Sequence, residues 1–86
     1  MKKNKYRKQS LESHNIDRLY IIGKILREYR ELNFMSRGDI DMEYSISRSL
    51  VERAERGSNI TLATFFRLCD AYNISPDELM IEVENF

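Results

Sequence analysis

Apolar residues recur at intervals of three and four along most of the chain, which is the period of amphipathic helices. In the first such stretch, Asn15 or Asp17 is placed to cap a long helix that ends near Asn33. Strand signals are absent before the last few residues. The pattern therefore predicts an all-α chain, and the inward residues of its first helix are Leu19, Ile22, Leu26, Tyr29 and, less regularly, Ile25.

Two short helices joined by a tight turn follow between residues 36 and 57. Ser36 is a suitable cap for the first of them, and Asp39 lies near the positive end of its dipole. Ile40 and Tyr44, four residues apart, share its inward face. This stretch is therefore a candidate helix-turn-helix motif.

The second helix of the motif has distinct inner and outer sides. Ser47 is its expected cap, and Gly57 is expected to end it. Val51 and Ala54 are spaced to face the protein. An exposed helix with basic residues is how many DNA-binding proteins contact bases. The residues left on its outer side are Arg48, Ser49 and Arg53.

Two further helices complete the pattern. Thr61 is expected to cap the fourth, and Asn73 to stop it in a left-handed conformation. Ser75 and Glu78 have the spacing of a capping box for the fifth, with Pro76 at the first helical position. The residues of the fourth helix expected to supply most of the aromatic packing are Leu62, Phe65, Phe66, Leu68, Cys69 and Tyr72.

These elements predict a compact five-helix bundle over residues 16–86, preceded by a flexible basic arm over residues 1–15. The core is expected from helices 1, 4 and 5, with the helix-turn-helix packed across it. The residues expected to fix the angle of the third helix are Met35, Ile46, Val51 and Ala54.

Five short segments occur in a recognisable order between residues 21 and 80. They are Arg27-Glu28-Tyr29-Arg30, Met35-Ser36, Ile46-Ser47-Arg48-Ser49, Glu55-Arg56-Gly57-Ser58-Asn59 and Ile74-Ser75-Pro76-Asp77-Glu78-Leu79. In this order they resemble the bacterial and phage repressor and Cro-type helix-turn-helix family, also called the xenobiotic-response-element family. The resemblance implies a lambda-repressor-like DNA-binding domain with the motif at helices 2 and 3. It also implies a structural ion pair between Arg30 and Glu55.

Geometry and the resemblance together place DNA contacts on and around the third helix. An arginine can donate two hydrogen bonds to guanine O6 and N7, worth about 1 to 3 kcal/mol of discrimination. For each arginine the competing interpretation is an ordinary solvated charge, and Leu50 either touches a thymine methyl or is simply an exposed leucine. The expected base contacts are Ser47, Arg48, Ser49 and Arg53, and the expected phosphate contacts are Arg37, Arg56, Ser58 and Asn59.

Three positions depart from the pattern of the resembled family. Asp41 puts a carboxylate where a small alanine is usual, so it must find a partner or turn outward. Ser45 replaces the usual turn glycine, and Gly38 inside helix 2 costs about 0.5 to 1 kcal/mol relative to alanine. The motif also holds four basic and five acidic residues. These departures favour a weak helix 2 and modest DNA affinity.

The chain of 86 residues has a formal charge of zero, but its charges are unevenly distributed. Residues 11–86 hold nine basic and fourteen acidic residues, a charge of −5, which disfavours strong DNA binding unless the charges are segregated by face. The start of the chain is expected either to follow DNA phosphates or a minor groove, or to be a solubilising tail. Its basic residues are Lys2, Lys3, Lys5, Arg7 and Lys8.

Composition gives little support to an enzyme or a membrane protein. One cysteine excludes an internal disulfide and a cysteine-rich zinc site, and no apolar run approaches the roughly 20 residues of a membrane span. His14 is the only histidine, and Cys69 lies on the inward face of helix 4. We therefore expect a cytoplasmic, non-enzymatic protein without metal or cofactor.

The end of the chain carries more apolar groups than one small domain covers easily. A two-fold homodimer would bury them and would set two reading helices roughly 34 Å apart on palindromic DNA. Alternatively, these residues close the core beneath helix 1. They are Leu79, Met80, Ile81, Val83 and Phe86.

Two functions follow from the sequence. The first is a sequence-specific transcriptional regulator of double-stranded DNA, expected to be a dimeric repressor that reads the major groove with helix 3. The second is a protein-interaction module on the same scaffold, such as an anti-repressor, an adaptor or an antitoxin-like protein, with weak or no DNA binding.

Overall fold

The computed structural model describes the backbone of residues 8–86 and the side chains from residue 15 onward. Over this part of the chain there are five helices and no strand, which confirms the predicted all-α class. The helices are α1 (Lys8–Leu32), α2 (Arg37–Tyr44), α3 (Arg48–Glu55), α4 (Leu62–Ala71) and α5 (Pro76–Glu84).

The first helix is longer than predicted. Asn15 and Asp17 do not cap it, because α1 begins at Lys8 and both residues lie inside it. Residues 8–14 contain no glycine or proline, so no residue in this stretch stops the helix from extending toward the start of the chain. The predicted boundary of a flexible arm at residue 15 is therefore wrong, and residues 1–7 of that arm lie outside the described residues. At its other end α1 stops at Leu32, as predicted.

Side-chain caps begin three of the helices. Ser47 and Thr61 accept main-chain hydrogen bonds as predicted, and Ser36 forms a reciprocal capping box with Asp39. The box predicted at Ser75 is wrong, because its side chain makes no capping hydrogen bond. The Ser75 side chain is instead the main influence that lowers the pKa of the Asp77 carboxyl.

The core contains buried residues from all five helices. Helix α1 packs against α3 and α5, and α2 packs against α3. The residues predicted to fix the angle of α3 are buried, except Met35, which is partly buried against the core. The fully buried residues include Leu26 from α1, Ile40 from α2, Val51 from α3, Leu68 from α4 and Leu79 from α5.

Three predicted inward residues are exposed. Leu62 is 71% exposed because it is the first residue of α4, and Tyr44 is exposed at the end of α2. Phe66 follows Phe65, which takes the inward position on α4, so the ring of Phe66 is left on the surface.

The end of the chain separates into a buried and an exposed side. Leu79 and Val83, four residues apart, are buried in this chain's own core, so their predicted role in dimerisation is wrong. Polar contacts also hold α5 to α1: the Tyr29 hydroxyl donates to Glu82 at 2.6 Å, which raises the pKa of Tyr29 to about 12. Met80, Ile81 and Phe86 remain exposed.

Candidate nucleic-acid interface

Helix α3 presents one side to solvent and buries the other. Val51 and Ala54 are buried, and Leu50 is partly buried against the core, so it packs rather than standing free. Arg48, Ser49 and Arg53 are exposed, as their spacing predicts. The side that would face DNA is therefore the side with the arginines.

The two outer arginines differ in their surroundings. Arg53 makes no side-chain hydrogen bond or ion pair with any residue from 15 to 86. Arg48 lies across α2: a Cβ placed on Gly38 would be 2.7 Å from its Nη2 and 3.0 Å from its Cζ. Its charge also helps to lower the pKa of Asp39, although the main cause is the hydrogen bond from the Ser36 main-chain N–H. Arg48 must therefore leave α2 to reach a base, whereas Arg53 is already free.

Ser47 is occupied by its capping role. Its hydroxyl oxygen accepts from the Leu50 main-chain N–H at 3.2 Å and lies 3.4 Å from the Ser49 hydroxyl. Because an oxygen that caps a helix still has a second lone pair and a proton, Ser47 keeps some capacity for a further contact.

A buried cluster of charges fixes the inner end of α3. Glu55 accepts from Arg30 at both oxygens, from Nε at 2.7 Å and from Nη2 at 3.1 Å. Arg30 also donates from Nη1 to the Met35 carbonyl at 2.8 Å. Both side chains of the pair are buried, and the hydrogen bonds to Glu55 raise the pKa of Arg30. This is the ion pair that the resemblance implied.

A second arginine belongs to the same cluster. Arg37 donates from Nη2 to Glu55 Oε1 at 3.0 Å and from Nε to the same oxygen at 3.3 Å. Its guanidinium is thus directed to Glu55, although about a third of the side chain remains exposed. Because Arg30, Arg37 and Glu55 come from α1, α2 and α3, the cluster holds the angle between these three helices.

Gly23 allows α1 to approach α3 closely. A Cβ at this position would lie 2.5 Å from the Ala54 carbonyl oxygen and 2.6 Å from that of Glu55. Both contacts are with main-chain atoms, which cannot move aside as a flexible side chain can. Sequence analysis did not identify Gly23, because it occurs within an otherwise regular helical pattern and nothing local marks the approach.

The turn of the motif is held from α4. Ser45 adopts a left-handed conformation with φ of 58°, which a non-glycine residue takes at some cost. Arg67 donates from Nη2 to the carbonyl oxygens of Tyr44 and Ser45, at 3.0 Å each. These bonds satisfy main-chain acceptors at the end of α2. Sequence analysis also missed Arg67, which no local signal distinguishes from a solvated arginine.

The residues after α3 form an exposed edge. Gly57 has a φ of 91° and directs the chain away from the helix, with its main-chain N–H bonded to the Ala54 carbonyl at 3.1 Å. Arg56 lies 3.6 Å from Glu52, and Ser58 and Asn59 are exposed. These positions are open to a phosphate backbone.

Two acidic residues of the motif are engaged by groups within the protein. Glu55 is neutralised within the buried cluster, and Asp39 serves the capping box of α2. Asp41, which had either to find a partner or to turn outward, is exposed. Part of the negative charge of the motif is therefore engaged by groups within the protein.

Other chemistry finds little support in the described part of the chain. No group of three or more metal-ligating side chains occurs there, and Cys69 is buried, which raises the pKa of its thiol to about 11. Within residues 8–86, none of the helices has the length and apolarity needed to cross a membrane.

The comparisons agree with this geometry. A family model described as helix-turn-helix matches residues 26–79, more than half of the chain, from within α1 to within α5. No curated protein and no solved structure matches significantly.

Proposed function

The chain belongs to the repressor and Cro-type helix-turn-helix family and is a DNA-binding transcription regulator of that type; from this premise we propose that it acts as a dimeric repressor that reads the major groove with α3. The observation that supports the reading role best is the contrast between a locked inner side of α3 and two exposed arginines on its outer side. A fixed helix angle lets side-chain contacts discriminate between bases.

The proposed contacts divide into two groups. Arg48 and Arg53, with Ser47 and Ser49, contact base edges, and the arginines favour guanine. Phosphate contacts set the register of the protein on the duplex without reading sequence. We assign them to Arg56, Ser58 and Asn59, and to the exposed part of Arg37.

Dimerisation is proposed through the exposed side of the chain's end. Ile81 is 58% exposed on α5, and Met80 and Phe86 are also exposed. Met80 borders an apolar groove whose other walls include Leu19, Ile22, Leu62 and Phe65. A second copy that covers these groups would remove apolar surface from water and would pair two copies of α3.

Fluorescence anisotropy with duplex DNA from upstream of the protein's own coding region tests this proposal. We expect saturable binding, with two chains per duplex by sedimentation, and preference over scrambled DNA. Arg48→Ala with Arg53→Ala should abolish the preference, because each lost guanine contact costs about 1 to 3 kcal/mol.

The control is Arg27→Ala, which removes a positive charge from the exposed side of α1 and leaves Lys24, which lies 5.3 Å from the ring centroid of Phe86, in place. This control should weaken binding only through net charge and should keep the sequence preference. If the unaltered protein shows no preference at low salt, the DNA-reading proposal is overturned, and a protein-interaction module on the same scaffold becomes the better explanation of the acidic body.

A further inference from the structure

An exposed apolar surface lies at the end of α1, away from the groove proposed for dimerisation. Phe34 is 93% exposed, and Leu32 and Tyr44 are exposed beside it. Phe34 borders two hollows, one also lined by Leu32 and the other by Tyr44. We call this surface, together with the carboxylates that line the two hollows, the Phe34 face.

The backbone at Phe34 is anchored by hydrogen bonds. Phe34 has a φ of 57°, a conformation that bulky residues rarely adopt. Its main-chain N–H bonds to the Glu31 carbonyl at 3.0 Å, and the next residue, Met35, is bonded in both directions to Arg30. Exposed apolar groups that lie together, here Phe34 with Leu32 and Tyr44, are typical of a surface that another molecule covers.

The chemistry around Phe34 indicates the charge of that molecule. Neither hollow has a basic residue in its lining. Among the nearby cations, Arg27 lies 3.4 Å from Glu31, and Arg48 is close enough to Asp39 to lower the pKa of its carboxyl, after the larger effect of Ser36. The other carboxylates that line the hollows, Glu28, Glu43 and Asp70, have no ion pair with residues 15–86. The acidic residues lining the two hollows are Glu28, Glu31, Asp39, Glu43 and Asp70.

The chain itself contains a complementary segment. Its first eight residues hold five basic side chains and no acid. Lysine and arginine side chains can lay their alkyl stems on apolar groups and aromatic rings while their charged ends reach carboxylates. Such a segment matches both the rings and the charges of the Phe34 face.

The segment must come from another molecule. Helix α1, of 25 residues, is about 37 Å long, and the Phe34 face lies beyond its far end. The seven residues before α1 span at most about 25 Å when fully extended. We propose that the basic N-terminal segment of a second copy of this chain binds the Phe34 face.

This contact joins different surfaces of two copies, so it is separate from the two-fold contact proposed through α5. It either continues from one copy to the next or closes by exchange of two segments. Its existence does not depend on DNA binding. The same basic side chains are those that could follow phosphates, so DNA and the Phe34 face compete for them.

Paramagnetic relaxation in mixed samples tests the proposal. A nitroxide is attached at Asn4→Cys, which keeps all five basic residues, and the buried Cys69 does not compete for the label. The nitroxide-labelled full chain is mixed with ¹⁵N-labelled protein that carries no nitroxide, so signal loss reports contacts between copies only. At low ionic strength we expect most of the amide intensity to be lost around Phe34, Glu43 and Asp70.

Salt and matched variants make the test specific. The loss should disappear at about 1 M salt, where charges are screened beyond about 3 Å. A ¹⁵N-labelled variant with Phe34→Ala, Glu43→Gln and Asp70→Asn should keep its amide intensity when it is mixed with the nitroxide-labelled chain. A ¹⁵N-labelled control with Asp17→Asn and Glu52→Gln should lose intensity as the unaltered protein does. All five positions are exposed, and each variant's own spectrum reports its fold. No loss at these amides, loss elsewhere only, or persistence in the first variant overturns the proposal.

Discussion

The inner and outer sides of α3 are built in opposite ways. On the inner side, Glu55 is buried and bonded by arginines from two other helices, and Gly23 brings α1 against the α3 backbone. On the outer side, Arg53 has no hydrogen bond or ion pair with residues 15–86. The guanidinium of Arg48 lies against α2 at Gly38, where a side chain would otherwise occupy the space. The difference teaches that the residues that hold the helix are separate from those proposed to read DNA, so one set can be changed without the other.

Replacing Glu55, on the inner side of α3, should lower the free energy of unfolding most. Glu55→Ala removes the shared acceptor of Arg30 and Arg37 and leaves a buried guanidinium unpaired, which costs about 3 to 5 kcal/mol of unfolding free energy. Urea denaturation followed by circular dichroism measures the loss. Arg53→Ala is the control from the outer side and should change stability by no more than about 0.5 kcal/mol. Equal stability of the two variants would contradict the comparison.

Adding a methyl group at Gly23 should give an intermediate effect. Gly23→Ala places a Cβ against two main-chain carbonyls, and overpacking of this kind costs about 1 to 3 kcal/mol. The loss is measured as a lower midpoint of chemical denaturation.

Gly38→Ala is the matched control, because the new Cβ meets only the flexible end of Arg48. Arg48 can move aside, and helix propensity should then stabilise the protein by about 0.5 to 1 kcal/mol. Opposite signs for the two substitutions are expected. A Gly23→Ala protein as stable as Gly38→Ala would show that the approach of α1 to α3 is not tight.

The smallest effect is expected from the capping box of α2, and it should depend on pH. The hydrogen bond from the Ser36 N–H holds the pKa of Asp39 below its ordinary value of 3.8. Because the folded pKa is the lower one, the stabilisation is present above the unfolded value and is lost as the pH falls through the folded value. The difference in unfolding free energy between the unaltered protein and Asp39→Ala should therefore vanish in acid. A difference that persists unchanged in acid would contradict this role of Asp39.

Local signals in the sequence predicted most of the elements. The caps at Ser36, Ser47 and Thr61 and the left-handed stop at Asn73 are confirmed, because each depends on a few neighbouring residues. The predicted box at Ser75 is wrong, because its side chain makes no capping hydrogen bond. The start of α1 failed because capping residues also occur inside helices when nothing stops the chain.

The parts of the site that sequence analysis missed depend on distant contacts. Arg67 bonds to residues 22 and 23 positions away, and the second arginine on Glu55 comes from 18 positions away. The Arg30 to Glu55 pair was expected only from the resemblance. Composition showed an acidic body but not that Glu55 is enclosed by arginines, which requires the packed structure.

Arg67 has a consequence for how alanine scanning of this protein should be interpreted. An Arg67→Ala substitution would remove the hydrogen bonds to two carbonyls in the turn between α2 and α3, so the turn that precedes α3 would be held less firmly. A scan that scored only DNA retention would then group Arg67 with the arginines proposed to read bases, although its guanidinium donates to the carbonyls of Tyr44 and Ser45. Thermal melting of each variant, recorded beside its DNA affinity, separates the two causes.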